Sequence, residues 1–592
     1  MKRKLICAML CLTMGVGLLA GCGTKDDGQS SQPNQESQGG DSQSNQESGN
    51  SGAEEETPVA KLLPEDDGSE TIEFSTWMYA DDYKHYTTYD ENPVVKCLNE
   101  MFNVKMTYQL PAMGAEAENF QLMIGTGDYT DVMNTTYSSD SMSALYEDGA
   151  IIDIAPYLEE YMPNYYARIQ ADDELRKLVY DDEGHAFAMY FIEDQTRNQW
   201  GGLAYRRDIL ETMTGGNVQF PSGNENPVTV EDWDYMLPLM KQYFDASGMT
   251  DTACLIIPAC GYITSGELSS GFGTGPIYQL ATDGKTVEFG AATDNFYNYV
   301  KKMKEWYEAG YIYQDFASRT NDMFYLPNPA LTYGGAAGVW FALLEQVGTV
   351  MSLPDYGLNV NVIPITAPLD TEHGITEADA GFYIFNGVAS NPHCISTACD
   401  EKKLARIFKV MDYLYSDEGL MLRAKGLNAE QAAKDDLYQQ YGIESGYYYD
   451  ENGDFCVNEK LLHGDDYDIK AFSFYGERLP GQAVASDDVV AANQVRTEND
   501  DAQDNAGDVW VKYGRDRVFP GGATLNIEES AKYTSVATNV FDYVDTMIPK
   551  FIMGTEPLTD ESWQAYVDQL KALGMDTLIE AEQSAYDRYL AR

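Results

Sequence analysis

The stretch TIEFSTW, residues 71–77, alternates apolar and polar side chains and predicts a β-strand that ends in an aromatic ring. Asn92-Pro93 then opens an amphipathic helix, because proline suits the first helical position and apolar residues follow at helical spacing. A second strand is predicted over 103–108 and a second helix over 119–124. Strands and helices that alternate in such short units predict an α/β fold with a largely parallel sheet.

Upstream of this fold, residues 1–21 have the layout of a secretory signal peptide. Basic residues at 2–4 precede an apolar run over 5–20, which is too short for a membrane span. The run ends in Leu19-Ala20-Gly21-Cys22, which resembles a bacterial lipobox. The resemblance implies that Cys22 becomes the first residue and carries lipid, which would anchor the mature protein to the extracytoplasmic face of the cell membrane. The alternative is an ordinary cleaved signal followed by a chance cysteine.

Residues 22–69 follow as a predicted linker. They are mostly Ser, Gln, Asn, Gly, Asp and Glu with few apolar side chains, a composition that predicts disorder. A flexible chain of about 45 residues spans about 35–40 Å on average. We therefore expect Cys22 and this linker to hold the folded part clear of a membrane surface.

The chain of 592 residues is strongly acidic. Its 95 Asp and Glu residues against 39 Lys and Arg give a formal charge of −56, and such a field repels nucleic acid. We expect a neutral or cationic small-molecule ligand and no nucleic-acid partner. With 44% hydrophobic residues, the chain has material for the cores of roughly two to four domains.

Six cysteines lie beyond Cys22, and an exported protein permits disulfides among them. Proximity along the chain favours Cys254 with Cys260 and Cys394 with Cys399, while buried free thiols are an equal alternative in a chain of this length. No Cys-x-x-Cys pair or Cys/His cluster indicates a metal site. We predict neither a metal nor a cofactor.

Residues 120–132, FQLMIGTGDYTDV, follow the order helix, small residue, Gly-Asp-x-x-Asp and apolar strand. In this passage the chain resembles the extracellular solute-binding proteins of the sugar-binding family 1. Further matches come in the family's order, at residues 150–158, 184–190, 205–210, 306–312, 334–338, 382–384, 411–419 and 586–589. The resemblance therefore covers residues 71–592.

The resemblance implies an α/β, two-lobed fold of the type II periplasmic-binding kind, with an inter-lobe hinge and a ligand cleft. It implies lobe 1 from residues 70–190 plus about 385–430, and lobe 2 from about 191–384 plus 431–592. It also implies a monomer that captures a sugar by lobe closure, with ABC permease subunits as its membrane partners.

Sugars present flat C–H faces and hydroxyls, so their sites need aromatic rings and planar polar groups that bond two hydroxyls at once. Trp340 follows a Gly-rich segment, and its position resembles that of the family's stacking aromatic. For every such ring a place in the core is the alternative, and Trp233 and Trp306, which lie in helical patterns, we assign to the core. The candidate ligand-binding residues, at strand ends or on loops, are Trp77, Tyr79, Asp82, Thr136, Tyr137, Trp200, Arg206 and Trp340.

Motifs that would indicate an enzyme are missing from the sequence. There is no Gly-x-Ser-x-Gly, His-Glu-x-x-His or Walker sequence. The run 450–454 begins like a calcium loop but lacks the later Gly and Glu, and it is predicted to be a hairpin turn. His393 and Cys394 are adjacent, and neighbours in sequence rarely share the hydrogen bond that a nucleophile pair needs.

The sequence thus predicts a lipid-anchored substrate-binding protein of an ABC importer that captures an oligosaccharide and is not an enzyme. One alternative is a surface glycoside hydrolase or lyase, since such enzymes also need aromatic platforms and carboxylates. Another is a glycan-binding or sensory lipoprotein that works without a transporter.

Overall fold

A computed structural model gives the structure of the chain. It describes residues 62–79, 84–193, 201–262, 266–318, 335–344, 347–348, 360–381, 387–451, 455–462, 468–483 and 505–592. Cys22, Asp82 and Trp200 lie outside the described residues, as do the predicted signal and most of the predicted linker.

The described strands form two larger sheets and two hairpin-like pairs. The first sheet has six strands in the order β14-β4-β11-β3-β1-β2, and the second has four in the order β10-β5-β9-β6. The remaining pairs are β12-β13 and β7-β8. In chain order the strands are β1 (Ile72–Trp77), β2 (Val104–Gln109), β3 (Val132–Asn134), β4 (Ala188–Ile192), β5 (Gly201–Arg206), β6 (Ala253–Leu255), β7 (Tyr278–Leu280), β8 (Val287–Phe289), β9 (Ala337–Leu343), β10 (Val362–Pro364), β11 (Ala389–Ile395), β12 (Tyr447–Tyr449), β13 (Phe455–Val457) and β14 (Gly481–Gln482).

The α-helices cover these sheets, and a group of three closes the chain. In chain order those described are α1 (Pro93–Phe102), α2 (Glu116–Thr126), α3 (Met142–Glu147), α4 (Ala155–Tyr161), α5 (Pro163–Ala171), α6 (Asp173–Val179), α7 (Arg207–Thr214), α8 (Val230–Ser247), α9 (Asp294–Glu308), α10 (Glu401–Tyr413), α11 (Asp417–Lys425), α12 (Ala429–Ala432), α13 (Asp436–Tyr441), α14 (Glu459–Leu462), α15 (Ile527–Met553), α16 (Asp560–Leu573) and α17 (Met575–Ala591).

The first β-α-β unit forms for local reasons that the sequence indicates. β1 pairs in parallel with β2 along its whole length. Helix α1 begins at Pro93, and the Asn92 side chain caps it by accepting hydrogen bonds from the backbone N–H groups of Val94 and Val95. The helix ends at Asn103, which adopts a left-handed conformation with φ of 50°. The predicted strand, helix, strand and helix are therefore confirmed within a few residues.

Two large sets of buried side chains correspond to the two sheets. The first core packs on one face of the six-stranded sheet and includes Phe74 and Ile407, while a smaller cluster around Phe120 covers the opposite face. The second core packs against the four-stranded sheet. Trp233 and Trp306 stack there with ring centroids 5.6 Å apart, so their assignment to a core is confirmed.

Residues 432–479 belong with the first sheet, contrary to the expectation that lobe 2 resumes at residue 431. Tyr438 and Phe474 are buried in the first core, and β14 pairs in parallel with β4, with Gly481 opposite Phe191. This boundary was wrong because β14 pairs with a strand almost three hundred positions earlier, a contact that no local pattern marks. Helices α15, α16 and α17 contribute to the second core.

The cysteines named as possible pairs carry free thiols in the structure, namely Cys254, Cys260, Cys394 and Cys399. Of the two alternatives for these residues, the structure therefore shows thiols. β12 and β13 pair antiparallel on either side of the predicted turn at 450–454. Among the described helices, none combines the length and apolar character that crossing a membrane requires.

Candidate functional site

The first sheet gathers distant chain segments at one edge. Strands β1, β2, β3, β4 and β14 run in one direction, and β11 runs against them. The residues after β1, β3, β4 and β14 therefore meet the beginning of β11 at the carboxyl edge of the sheet. Open α/β sheets bind ligands at this edge. The residues that the structure assembles here, which we call the carboxyl-edge cluster, are Tyr79, Thr136, Tyr137, Asn391 and Arg478.

Two tyrosine rings form the aromatic part of this cluster, and a guanidinium lies over one of them. The rings of Tyr79 and Tyr137 meet edge to face, with centroids 5.3 Å apart and an interplanar angle of 73°. The guanidinium of Arg478 lies over the Tyr79 ring, with Cζ 4.5 Å from the centroid, and its Nη1 donates a hydrogen bond to the Tyr79 hydroxyl at 2.7 Å. The structure thus brings two predicted residues together and adds an arginine to them.

Asn391 ties three segments of the carboxyl edge to one another. It has φ of 52°, in the left-handed region, at the point where the pairing of β11 with β4 shifts register between Ser390 and His393. Its Oδ1 accepts a hydrogen bond from Asn134 Nδ2 at 2.5 Å, and its Nδ2 donates to the Arg478 carbonyl at 3.2 Å. Asparagine suits this place because it tolerates the left-handed conformation and carries both a donor and an acceptor.

Thr136 places a hydroxyl at the same edge. Its backbone N–H donates to Asn134 Oδ1 at 3.0 Å, which fixes the turn after β3. In the part of the chain that the structure describes, Thr136 Oγ1 and Gln482 Oε1 are buried and have no hydrogen-bond partner. A buried polar atom without a partner costs about 1–3 kcal/mol. A ligand hydroxyl has the chemistry that Thr136 Oγ1 needs, since it donates one hydrogen bond and accepts others.

His393 and Cys394, the adjacent pair on β11, are un-ionised and enclosed. Burial lowers the pKa of His393 to about 4, although the backbone carbonyls of Asn391 and Arg478 oppose the shift, and the Nδ1–H donates to the Asn391 carbonyl at 2.9 Å. Burial raises the pKa of Cys394 to about 12. A thiol this hard to ionise beside a neutral imidazole is not an activated nucleophile. Within the described ranges, no group of three or more His, Cys, Asp or Glu side chains is placed to hold a metal ion.

Trp77, a predicted ligand residue, lies in the core. It is 1% exposed, and its ring packs edge-on against Phe120 with centroids 5.1 Å apart. Its indole N–H donates to Asn119 Oδ1 at 2.8 Å. This placement corrects the expectation that Trp77 faces a ligand, because helix α2 covers the ring and satisfies its single donor.

Arg206 and Trp340 occupy buried positions in the second sheet. Arg206 is 2% exposed and donates two hydrogen bonds to the Asp208 carboxylate, at 2.8 and 2.6 Å, and one to the Gly335 carbonyl at 3.0 Å. Trp340 is 2% exposed on β9, in a small apolar cluster with residues such as Ala204. Both placements correct the expectation of a ligand-facing side chain, because a bidentate ion pair holds Arg206 and Trp340 is buried in an apolar cluster.

Sequence reasoning missed Asn134, Asn391 and Arg478. Asn391 had a usable signal, since it stands in a polar Ser-Asn-Pro run directly before buried strand residues, where asparagine favours an irregular backbone. Arg478 had none, because it meets Tyr79 from 399 positions away along the chain.

No protein-family profile and no curated protein matches the chain. Among solved structures, it is similar to an HMO binding ABC-transporter associated solute binding protein from Bifidobacterium longum infantis, with a TM-score of 0.67 and 17% identity over 88% of this chain and 99% of that one. It is also similar to the S. pneumoniae ABC-transporter substrate binding protein FusA in complex with kestose, with a TM-score of 0.63 and 18% identity over 88% and 100% of the two chains.

A third similar structure is the alginate-binding protein AlgQ2 without calcium ion, with a TM-score of 0.62 and 18% identity over 88% and 98% of the two chains. These neighbours are sugar-type solute-binding proteins, as the resemblance in the sequence implies. The chain therefore has the two-lobed α/β fold of such proteins, and the predicted fold class is confirmed.

Proposed function

We propose that this protein is a lipid-anchored, extracytoplasmic substrate-binding protein of an ABC importer, and that it captures an oligosaccharide by closing its two lobes. It acts as a monomer with permease subunits as its membrane partners, and it is not an enzyme. The carboxyl-edge cluster is the observation that carries the proposal, because it joins aromatic rings to hydrogen-bonding groups where this fold presents ligands.

The chemistry of the cluster suits a sugar. The half-buried Tyr137 ring, held edge-on by Tyr79, offers a rigid apolar surface for the C–H face of a pyranose or furanose. Thr136 Oγ1 supplies a hydroxyl partner on the same turn. The nearby amide of Asn391 is already bonded on both atoms, so it fixes the surrounding segments in place before a ligand arrives.

The anchoring part of the proposal rests on the sequence. Leu19-Ala20-Gly21-Cys22 resembles a lipobox, and residues 22–69 have the composition of a spacer. The three similar structures support a sugar ligand and a transporter, since two of them are ABC-transporter proteins and the third binds alginate.

A glycan-array screen followed by calorimetry tests the binding. We expect Tyr137→Ala to weaken binding of the best array ligand by about 1–3 kcal/mol, or about 5- to 150-fold in Kd, because a stacking ring is lost. The matched control is Tyr449→Ala, since Tyr449 is exposed on the β12-β13 hairpin, and it should change Kd less than twofold. Equal losses in both variants would contradict a site at the carboxyl edge.

Further measurements separate the alternatives. Ligand at a hundredfold excess over Kd should stabilise the protein by about 2.7 kcal/mol and reduce the radius of gyration in small-angle scattering, whereas an unchanged radius would contradict lobe closure. Chromatography of the recovered glycan should show it unaltered, because cleaved product would establish a hydrolase or lyase. Cells lacking this chain should lose uptake of the glycan, and normal uptake would favour a role without a transporter.

A further inference from the structure

Arg423, near the end of α11, is a fully buried cation held by backbone carbonyls. Its Nε donates to the Leu479 carbonyl at 2.9 Å and its Nη2 donates to the Glu477 carbonyl at 2.6 Å. The guanidinium lies over the Phe191 ring of β4, with Cζ 4.0 Å from the centroid. Among the described side chains, no carboxylate oxygen lies within ion-pair distance of it. A buried charge is costly unless directed hydrogen bonds satisfy it, so these carbonyls are its compensation.

The chain from residue 476 to residue 482, which we call the arginine turn, is shaped around this guanidinium. The backbone N–H of Gly476 donates to the Arg423 carbonyl at 2.8 Å. Gly481 has φ of 144°, and a Cβ at that position would lie 2.8 Å from Arg423 Cδ. The turn therefore meets the arginine at both of its ends, through a backbone hydrogen bond at Gly476 and through close contact at Gly481, where glycine leaves room for the side chain.

The two carbonyls that Arg423 binds flank Arg478, the residue that the arginine turn delivers to the carboxyl-edge cluster. The Arg478 side chain bonds the Tyr79 hydroxyl, and its carbonyl accepts from Asn391. The turn ends in β14, which adds an edge strand to the first sheet. A shift of the Glu477 or Leu479 carbonyl would therefore move Arg478 at the same time.

We propose that Arg423 is a positioning residue for the carboxyl-edge cluster: its two directed N–H groups fix the arginine turn, and the turn sets where Arg478 meets Tyr79. The consequence for ligand binding rests on the function proposed above, whereas the effect on the turn does not.

Hydrogen exchange of the full chain without ligand tests the positioning. Arg423→Lys keeps the charge but loses the planar pair of donors. Arg423→Met loses the charge as well as the donors. We expect amide exchange in residues 476–483 to rise at least tenfold in both variants. The matched control is Arg406→Lys, since Arg406 is an equally buried arginine of the first core whose partners, Asp66 and the Phe102 carbonyl, lie at the opposite edge of the sheet. Unchanged exchange at 476–483 in the Arg423 variants would overturn the proposal.

Two glycan probes test the consequence for ligand binding. Kestose is a neutral glycan, and an alginate oligosaccharide is an acidic one. We expect Arg423→Lys to weaken whichever probe the wild type binds by tenfold or more, and Arg406→Lys by less than twofold. Equal effects in the two variants would mean a general loss of stability and would overturn the inference. If the wild type binds neither probe, the exchange result alone decides the role of Arg423. Should the Arg423 variants fail to fold, Gly481→Ala perturbs the same contact while keeping the arginine and its charge, and it is expected to show the same pattern.

Discussion

Replacing Glu582 by glutamine is expected to stabilise this protein near neutral pH. Glu582 lies on the last helix, α17, and is 8% exposed. The titratable groups near it are Glu529, Tyr278 and Tyr533. Both carboxylate oxygens of Glu529 are bonded to Arg588. Burial, followed by the charge of Glu529, raises the pKa of Glu582 from 4.5 to about 8.

The sign and size of the effect follow from proton linkage. Below pH 4.5 the Glu582 carboxyl is protonated in both folded and unfolded states, and its full contribution to stability is present. Between pH 4.5 and 8 only the unfolded chain ionises, so the free energy of unfolding falls by about 1.4 kcal/mol per pH unit as the pH rises. The accumulated loss is about 1 kcal/mol at pH 5 and about 3 kcal/mol at pH 7. Glutamine does not ionise, so Glu582→Gln should recover these amounts.

Urea unfolding followed by near-ultraviolet circular dichroism, at pH 5 and pH 7, measures this difference. The matched control is Glu580→Gln, because Glu580 is exposed two positions earlier on the same helix, and its stability should change by less than about 0.5 kcal/mol at either pH. An equal gain for Glu582→Gln at both pH values, or a loss at pH 7, would refute the argument from burial.

Three further outcomes are expected. Trp340→Ala should lower the free energy of unfolding of the unliganded protein by about 3–5 kcal/mol in urea, because the ring is enclosed on β9, and a loss below about 1 kcal/mol would contradict its place in the core. Asn391→Ala should be less stable than Asn391→Gly by about 1 kcal/mol in the same assay, because φ of 52° suits glycine better than alanine, and the opposite order would show that the backbone relaxes. Cys22→Ser should abolish metabolic labelling with a fatty-acid analogue, and equal labelling of the variant would exclude a lipid on that thiol.

The elements of the first lobe were predictable where the signals are local. The alternation of TIEFSTW predicted β1, and the Asn92-Pro93 pair predicted the start of α1, because a capping side chain and its first helical residue are adjacent in the chain. The boundary at 431 was not predictable in this way. Residues 432–479 join the first core through side chains such as Phe474, whose ring lies against His85, almost four hundred positions away.

The candidate site likewise contains residues that local signals indicated and residues that only the folded chain brings in. Tyr79, Thr136 and Tyr137 follow β1 and β3, and their place after predicted strands was the local signal that named them as candidates. Arg478 and Asn391 enter through β14 and β11, whose pairing depends on backbone hydrogen bonds that any sequence makes. Their contribution to the site became visible only with the register of the sheet.

Trp77 was predicted to face a ligand but lies in the core, and the sequence near it contains the reason. Trp77 and Tyr79 stand two positions apart at the end of one strand, yet only Tyr79 takes part in the carboxyl-edge cluster. The indole has one donor, and that donor reaches Asn119 on α2, a helix whose Phe120 packs against the ring. A helix that carries an amide beside an aromatic residue thus offers a tryptophan both of the contacts that burial requires, a partner for its N–H and a surface for its ring. Tyr79, beyond the last paired residue of β1, has left the face that α2 covers, and its hydroxyl bonds a residue of the carboxyl edge instead.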